Sequence, residues 1–206
     1  VRTTLVFAAG SAANLNSNQL PPHDLVIAAD GGFEHAIRIG VTPDVVIGDL
    51  DSIDSGWLAT VPRLKIDTHP TAKDATDLEL ALGYAEREGS DRVLLIGGGA
   101  GRLDHFLANA LLVTSFPQLR LEWWVGDAAI NPVHDHIELS GEVGDLLSLL
   151  AIQTSHGVTS RGLRYPLAHQ TLVAGSTRGV SNQLVEERAT VSLESGVLLA
   201  IRPHRR

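Results

Sequence analysis

The sequence predicts two unlike halves: an α/β domain with a parallel sheet over residues 1–126, and an antiparallel β-sandwich or barrel over residues 127–206. Three observations carry this. Up to residue 125, short apolar runs alternate with helical patterns, as in strands joined by helices that cover the faces of a parallel sheet. Beyond Gly126 no amphipathic helix is evident, and short apolar runs punctuated by turn residues recur at near-regular spacing. The composition, 44% hydrophobic over 206 residues, supplies ample core for one large domain or two small ones.

Taken in order, residues 1–7 read as the start of a first strand, without the apolar stretch and cleavage site of a signal peptide. The apolar run 5–9 ends at Gly10, and a second, 25–29, ends at Asp30-Gly31-Gly32. A short helix follows over 33–39, with Gly40 as its stop. Residues 45–47 form a third strand that ends in Gly48-Asp49-Leu50-Asp51-Ser52, and 64–66 a short fourth, at an edge. Thr76 and Glu79 have capping-box spacing, and Leu78, Ala81, Leu82 and Ala85 then recur at helical intervals until Gly89. Strand 93–96 runs into Gly97-Gly98-Gly99-Ala100-Gly101, a helix spans 103–115 before Pro117, and 121–125 is a strand. The second half offers strands within 145–152, 170–174, 189–193 and 197–201.

Several function classes are excluded or disfavoured at this level. No apolar run reaches the ~18 residues of a membrane span, so no membrane association is expected. A net charge of −8 argues against a general nucleic-acid binder, which would present a basic face. The absence of cysteine removes disulfides and thiolate metal sites and fits a cytoplasmic location. Fourteen of the sixteen basic residues are arginine, for the most part a composition bias.

In parallel sheets, ligands bind beyond the carboxyl ends of the strands. Three strands here end in Asp/Gly clusters: at Asp30, at Asp49 and Asp51, and from Gly97 to Asp104. Asp49 and Asp51 point the same way if the chain stays extended, and can then share a hard cation, although such a pair also serves as turn chemistry. Asp74 and Asp77 are surplus to a helix cap that Thr76 and Glu79 already supply, which leaves Asp77 for a metal site with Asp49 and Asp51. The glycine-rich turn lets backbone N–H groups approach an anion, and Arg102 is placed to clamp a phosphate in a fork. His105 is expected to point elsewhere on its helix and to be structural. His134-Asp135-His136 is expected to be a solvated strand or turn. Tyr165, Trp123 and Trp124 are candidates for stacking, with core packing the usual fate of such residues.

Together, Ala29-Asp30-Gly31-Gly32, Pro43-Asp44 with Gly48 to Ser52, Lys73-Asp74-Ala75-Thr76-Asp77, and Gly98 to His105 through Asn109 resemble the thiamine pyrophosphokinase family, bacterial type. Gly162 to Leu167 and Ser176 through Ser181-Asn182 continue the likeness into the second half. The resemblance implies a homodimer whose subunits combine an ATP- and Mg²⁺-binding catalytic domain (1–126) with a thiamine-binding and dimerisation domain (127–206). It implies transfer of a pyrophosphoryl group from ATP to the hydroxyl of thiamine, giving thiamine diphosphate and AMP. Mg²⁺ would be held at Asp49, Asp51 and Asp77. The nucleotide would meet Asp30, Gly31, Gly32, Lys73, Thr76, Gly99, Gly101 and Arg102, with Asp104 nearby. Thiamine would meet Ser181-Asn182, with Tyr165 where animal members have tryptophan. Asp77, Arg102 and Asp104 are the residues expected to act in catalysis, and Asp77 and Asp104 are the two candidates for the hydroxyl proton. Alternatives that share part of the pattern are a pyrophosphokinase for a pterin alcohol, a glycosyltransferase holding a nucleotide sugar at Asp49-Leu50-Asp51, and a non-catalytic nucleotide-binding protein.

Overall fold

The structure is a computed structural model that describes residues 1–10, 15–50, 53, 56, 61, 64–70, 74–99 and 101–203. The chain divides into two compact units, one from Val1 to Gly126 and the other from Asp127 onward.

The first unit contains β1 (Thr3–Phe7), β2 (Leu25–Ala29), α1 (Gly32–Arg38), β3 (Val45–Gly48), β4 (Lys65–Thr68), α2 (Asp77–Arg87), β5 (Arg92–Ile96), α3 (Leu103–Leu112) and β6 (Arg120–Val125). Its strands lie in the order β6-β5-β1-β2-β3-β4, and every pair is parallel. The central strands β1, β2, β3 and β5 are near-continuous apolar runs, as strands covered on both faces must be. β4 is largely exposed, as an edge strand can be. In α2 the anticipated Leu78, Ala81, Leu82 and Ala85 are all buried, together with Tyr84. The expected helix over 103–115 is α3 followed by a 3₁₀ turn, Val113–Ser115.

From β1 the chain builds outward through β2, β3 and β4, then returns to place β5 and β6 on the other side of β1. The crossovers leave β1 and β5 toward opposite edges, so a crevice opens at their carboxyl ends, the switch point where such sheets bind ligands. No local pattern encodes that order.

The second unit contains β7 (Ala128–Val133), β8 (His136–Ser140), β9 (Leu146–Ala151), β10 (Ser155–Arg161), β11 (Gln170–Leu172), β12 (Asn182–Gln183), β13 (Arg188–Ser192) and β14 (Leu198–Pro203). They form two antiparallel layers, β12-β9-β14-β7 and β11-β10-β13-β8. Leu147, Leu149, Leu198 and Ala200 of one layer and Leu139, Val158, Ala189 and Val191 of the other share one buried cluster. The architecture is therefore a sandwich. β9, β11, β13 and β14 fall on the anticipated runs, while β7, β8, β10 and β12 lie outside them. The last four carry Pro132, His136, His156 with Gly157, and only two residues, respectively, so their apolar alternation is broken or too short to read.

Candidate active site

Three backbone features shape the crevice. Asp30 ends β2 in the left-handed region at φ +43, with its N–H bonded to the Ile47 carbonyl (2.9 Å) and its carbonyl receiving the Phe33 N–H (2.9 Å). The aspartate is thereby fixed where β2 becomes α1. Gly48 closes β3 at φ +152. A side chain there would stand 3.1 Å from Cβ of Asp30 and 3.2 Å from Oδ1 of Asp77, so its absence lets the two acids approach the strand end together. Leu50 follows at φ +63, an unusual region for a leucine. The chain is not extended at Leu50, so the alternation argument that would pair Asp49 with the residue two positions on does not hold.

Thr76 caps α2, its hydroxyl accepting the Glu79 N–H at 3.2 Å. This places Asp77 on the first turn, facing Gly48.

The glycine-rich turn after β5 is held from behind. Buried Trp123 donates its indole N–H to the Gly97 carbonyl at 2.6 Å, and buried Asn109 donates its side-chain amide to the Gly98 carbonyl at 2.8 Å. The Gly98 N–H bonds back to Ala9 at 2.8 Å, tying the end of β5 to the end of β1. Gly97, Gly98 and Gly101 all have positive φ, which glycine alone adopts without cost.

These elements enclose a cleft of about 500 Å³ lined by Asp30, Asp49, Thr76, Asp77, Gly98, Gly101, Arg102, His105 and Asn109, with 8–10 as its floor. Of the expected nucleotide set, Asp30, Thr76, Gly101 and Arg102 line it. Gly31, Gly32 and Gly99 do not; they serve close packing. A side chain on Gly32 would stand 2.0 Å from the Phe7 carbonyl oxygen, and one on Gly99 1.8 Å from the Val125 side chain. Of the expected metal set, Asp49 and Asp77 line the cleft and Asp51 lies outside the described residues, as does Lys73 of the nucleotide set. Among the described residues, no group of three or more His, Asp or Glu side chains is placed to hold a metal ion.

His105 corrects the expectation that it would point away. His105 and Asn109 lie within α3 and Arg102 is its N-cap, and all three line the cleft. Asp104 does not line it and reaches the site through Arg102, which it pairs at 2.5 Å. The hydrogen bond from Arg102 lowers the Asp104 carboxyl to about 2, and the same bond raises the Arg102 guanidinium above its ordinary value.

In the second unit, Tyr165 and Asn182 line a separate cavity of about 300 Å³. The Asn182 side chain is committed to backbone: it accepts from the Tyr165 N–H (3.0 Å) and donates to the Tyr165 carbonyl (2.8 Å). Its direct effect is to hold Tyr165, which is 62% exposed. Ser181 adopts φ +59, and its N–H bonds the Ser148 hydroxyl at 3.0 Å. His134 and Asp135 form the turn between β7 and β8, where Asp135 accepts from the His136 N–H at 2.5 Å. Trp123 is core and Trp124 is half-buried.

Two family profiles match the chain: "Thiamin pyrophosphokinase, catalytic domain" over residues 17–125, and "Thiamin pyrophosphokinase, vitamin B1 binding domain" over 135–198. The chain is 29% identical over 209 residues to a thiamine pyrophosphokinase of Bacillus subtilis, covering 97% of this chain and 98% of that protein. It is 30% identical to thiamine pyrophosphokinase 1 of Arabidopsis thaliana, over 81% of this chain and 67% of that one. Among solved structures it is similar to the crystal structure of thiamine pyrophosphokinase from Bacillus subtilis, with a TM-score of 0.87 at 28% identity and full coverage of both chains. The fold alone extends to the enzyme from Candida albicans, at a TM-score of 0.78 and 13% identity, over 98% of this chain and 90% of that one.

Proposed function

The chain belongs to the thiamine pyrophosphokinase family, and on that premise we propose that it moves the terminal diphosphoryl group of ATP to the hydroxyl of thiamine, giving thiamine diphosphate and AMP, with Mg²⁺ as the metal. The observation that carries the reading is the convergence of Asp30, Asp49, Asp77 and Arg102 on one cleft at the switch point of the sheet. The profile matches to both halves leave the pterin-alcohol and nucleotide-sugar alternatives without support of their own.

The donor set suits Mg²⁺. The acidic groups lining the cleft are carboxylates, hard oxygen donors, and Mg²⁺ is commonly held by one or two carboxylates plus substrate phosphates rather than by a protein cage. We assign Asp49 and Asp77 as its described ligands, with Asp51 as the third. When bound, the ion neutralises phosphate oxygens and polarises the phosphorus for attack.

The remaining work falls to the chain's own residues. The thiamine hydroxyl oxygen forms a bond to the β-phosphorus as the bond to the bridging oxygen of the α-phosphate breaks, and AMP leaves with that oxygen. Arg102, at the start of α3, offsets charge on the transferring group, and the backbone of the glycine turn seats the phosphates. Thr76 orients Asp77. The hydroxyl proton goes to a carboxylate. Asp77 and Asp104 are the two candidates for it, and Asp104 also steadies Arg102. In the second unit Tyr165 offers its exposed ring for stacking on thiamine, with Ser181 and Asn182 shaping the segment around it.

A homodimer is part of the proposal. Leu103, Leu107 and Leu111, at i, i+4 and i+8 on α3, are 69, 54 and 56% exposed, a leucine stripe of the kind that marks an interface. A cytoplasmic location is in keeping with the described helices, none of which is long and apolar enough to cross a membrane.

The test is AMP release from ATP and Mg²⁺ with and without thiamine. Release should require thiamine and should vanish in Asp49→Ala, with the fold retained by circular dichroism. Release that ignores thiamine removes the proposed activity; near-normal turnover in folded Asp49→Ala removes the metal assignment.

A further inference from the structure

Pro43-Asp44 stands out in the sequence, yet Asp44 takes no part in the cleft. It lies at the amino end of β3, where it makes a reciprocal pair of bonds with β2. Its backbone N–H donates to the Val26 carbonyl at 2.9 Å, and its carboxylate accepts the Val26 N–H at 2.8 Å. Asp24, just before β2, makes the same pair with Thr3 of β1, both bonds at 2.8 Å. Asp91, just before β5, makes it with Arg2, donating to the carbonyl at 2.9 Å and accepting the N–H at 2.6 Å.

β2, β3 and β5 are the strands that end in Asp/Gly clusters. β2 leads to Asp30, β3 to Asp49 and β5 to the glycine turn. β4 and β6 follow Leu64 and Leu119 instead of an acid. A carboxylate on a backbone N–H, beside a bond in the reverse direction, fixes the height of one strand against the next. Height matters because a slip of one residue turns a strand over. With Asp44 on Val26, Ala29 stands opposite Ile47, and the Asp30 N–H falls on the Ile47 carbonyl at 2.9 Å. That bond sets Asp30 beside Gly48. Asp44 thus acts on Asp49 from five residues away, roughly 16 Å along a strand.

We propose that Asp24, Asp44 and Asp91 are positioning residues: each pins one strand at its amino end and so aligns the cluster at its carboxyl end with the other two across the crevice. The inference goes beyond the proposed activity and rests on it for kinetics only.

Hydrogen exchange at the Asp30 amide by NMR, and the kinetics of AMP release, both well below the melting midpoint, test this. Asp44→Ala should speed exchange at Asp30 roughly 3- to 10-fold, as expected for one lost hydrogen bond. It should raise the Mg²⁺ needed for half-maximal release at saturating ATP by at least as much, since a misplacement of about 1 Å can cost roughly 100-fold. Asp91→Ala should instead raise the KM for ATP at saturating Mg²⁺ and disturb the Asp30 amide less than Asp44→Ala does. Asp44→Asn keeps a side-chain oxygen for the Val26 N–H and should recover most of both losses. The inference is overturned if folded Asp44→Ala leaves either the Asp30 exchange or the Mg²⁺ response unchanged. It is also overturned if both alanine variants shift both kinetic constants alike, as general destabilisation would, or if Asp44→Asn behaves as Asp44→Ala. Should Asp44→Ala not fold, Asp24→Ala reads the same amide from the strand of Asp30 itself: faster exchange supports the inference and unchanged exchange overturns it. No thiamine-dependent AMP release from the unaltered protein removes the activity, and exchange at Asp30 then decides the role of the three aspartates by itself.

Discussion

His35 illustrates how one side chain supports the site without entering it. It is buried on α1, edge-on to Phe7 with ring centres 5.6 Å apart, and its Nδ1 lies 3.3 Å from the Ala8 carbonyl. Burial lowers its pKa, only partly opposed by that carbonyl. The folded state therefore prefers the neutral ring. Stability is full above the unfolded value of about 6.5 and falls as protons bind below it. His134 shifts in the same sense through burial. The thermal midpoint should hold steady from about pH 8 to 7 and decline below 6.5, and His35→Asn should flatten part of that slope. An unchanged slope in the variant removes His35 as a cause. At this scale much of the site was legible: Asp30, Asp49, Thr76, Asp77 and Arg102 all line the cleft. His105 and Asn109 also line it, a placement that depends on how α3 is turned toward the cleft and that no strand-end motif marks. The bend at Leu50 was missed because a leucine gives no signal for positive φ.

The turn between β5 and α3 depends on elements around it. Its Gly97 carbonyl is satisfied by Trp123 of β6, and its Gly98 carbonyl by Asn109 of α3. Replacing Trp123 with phenylalanine keeps the ring but leaves a buried carbonyl without its donor, at a cost of about 1–3 kcal/mol. For a chain of this length that lowers the melting midpoint by roughly 2–4 °C per kcal/mol. If the turn seats phosphate, the KM for ATP should also rise, while the affinity for thiamine in the absence of ATP stays put. A destabilised Trp123→Phe with an unaltered KM for ATP would separate the turn from nucleotide binding. Elements of the first half were readable because buried parallel strands are continuous apolar runs and α2 is strongly amphipathic. Strand order was not, since β1 pairs with β5 across most of the first unit and nothing local specifies that partner. In the second half, proline, glycine or histidine interrupts the apolar alternation of the strands that the sequence does not reveal, and β12 has only two residues.

Across the whole molecule, the leucine stripe of α3 gives self-association a test. Joint replacement of Leu107 and Leu111 with glutamate should convert a dimer to a monomer by sedimentation and reduce turnover, with secondary structure unchanged. A double variant that sediments as the dimer places the interface elsewhere. The division into an α/β half and a β half was visible in the sequence because the switch from helical to strand periodicity is abrupt near Gly126; the two-layer packing of the second half was not, because a sandwich and a barrel share the same strand signature. Each unit also buries its own apolar clusters. That separateness has an optical consequence. Trp57, Trp123 and Trp124 all belong to the first 126 residues, and the β half has no tryptophan. Light absorbed at the red edge of the indole band interrogates one half of the chain only. Emission recorded during heating should follow the α/β half, whereas the far-ultraviolet signal averages both. Superimposable curves would mean that the halves melt as one, and a gap between them would measure how far each stands alone.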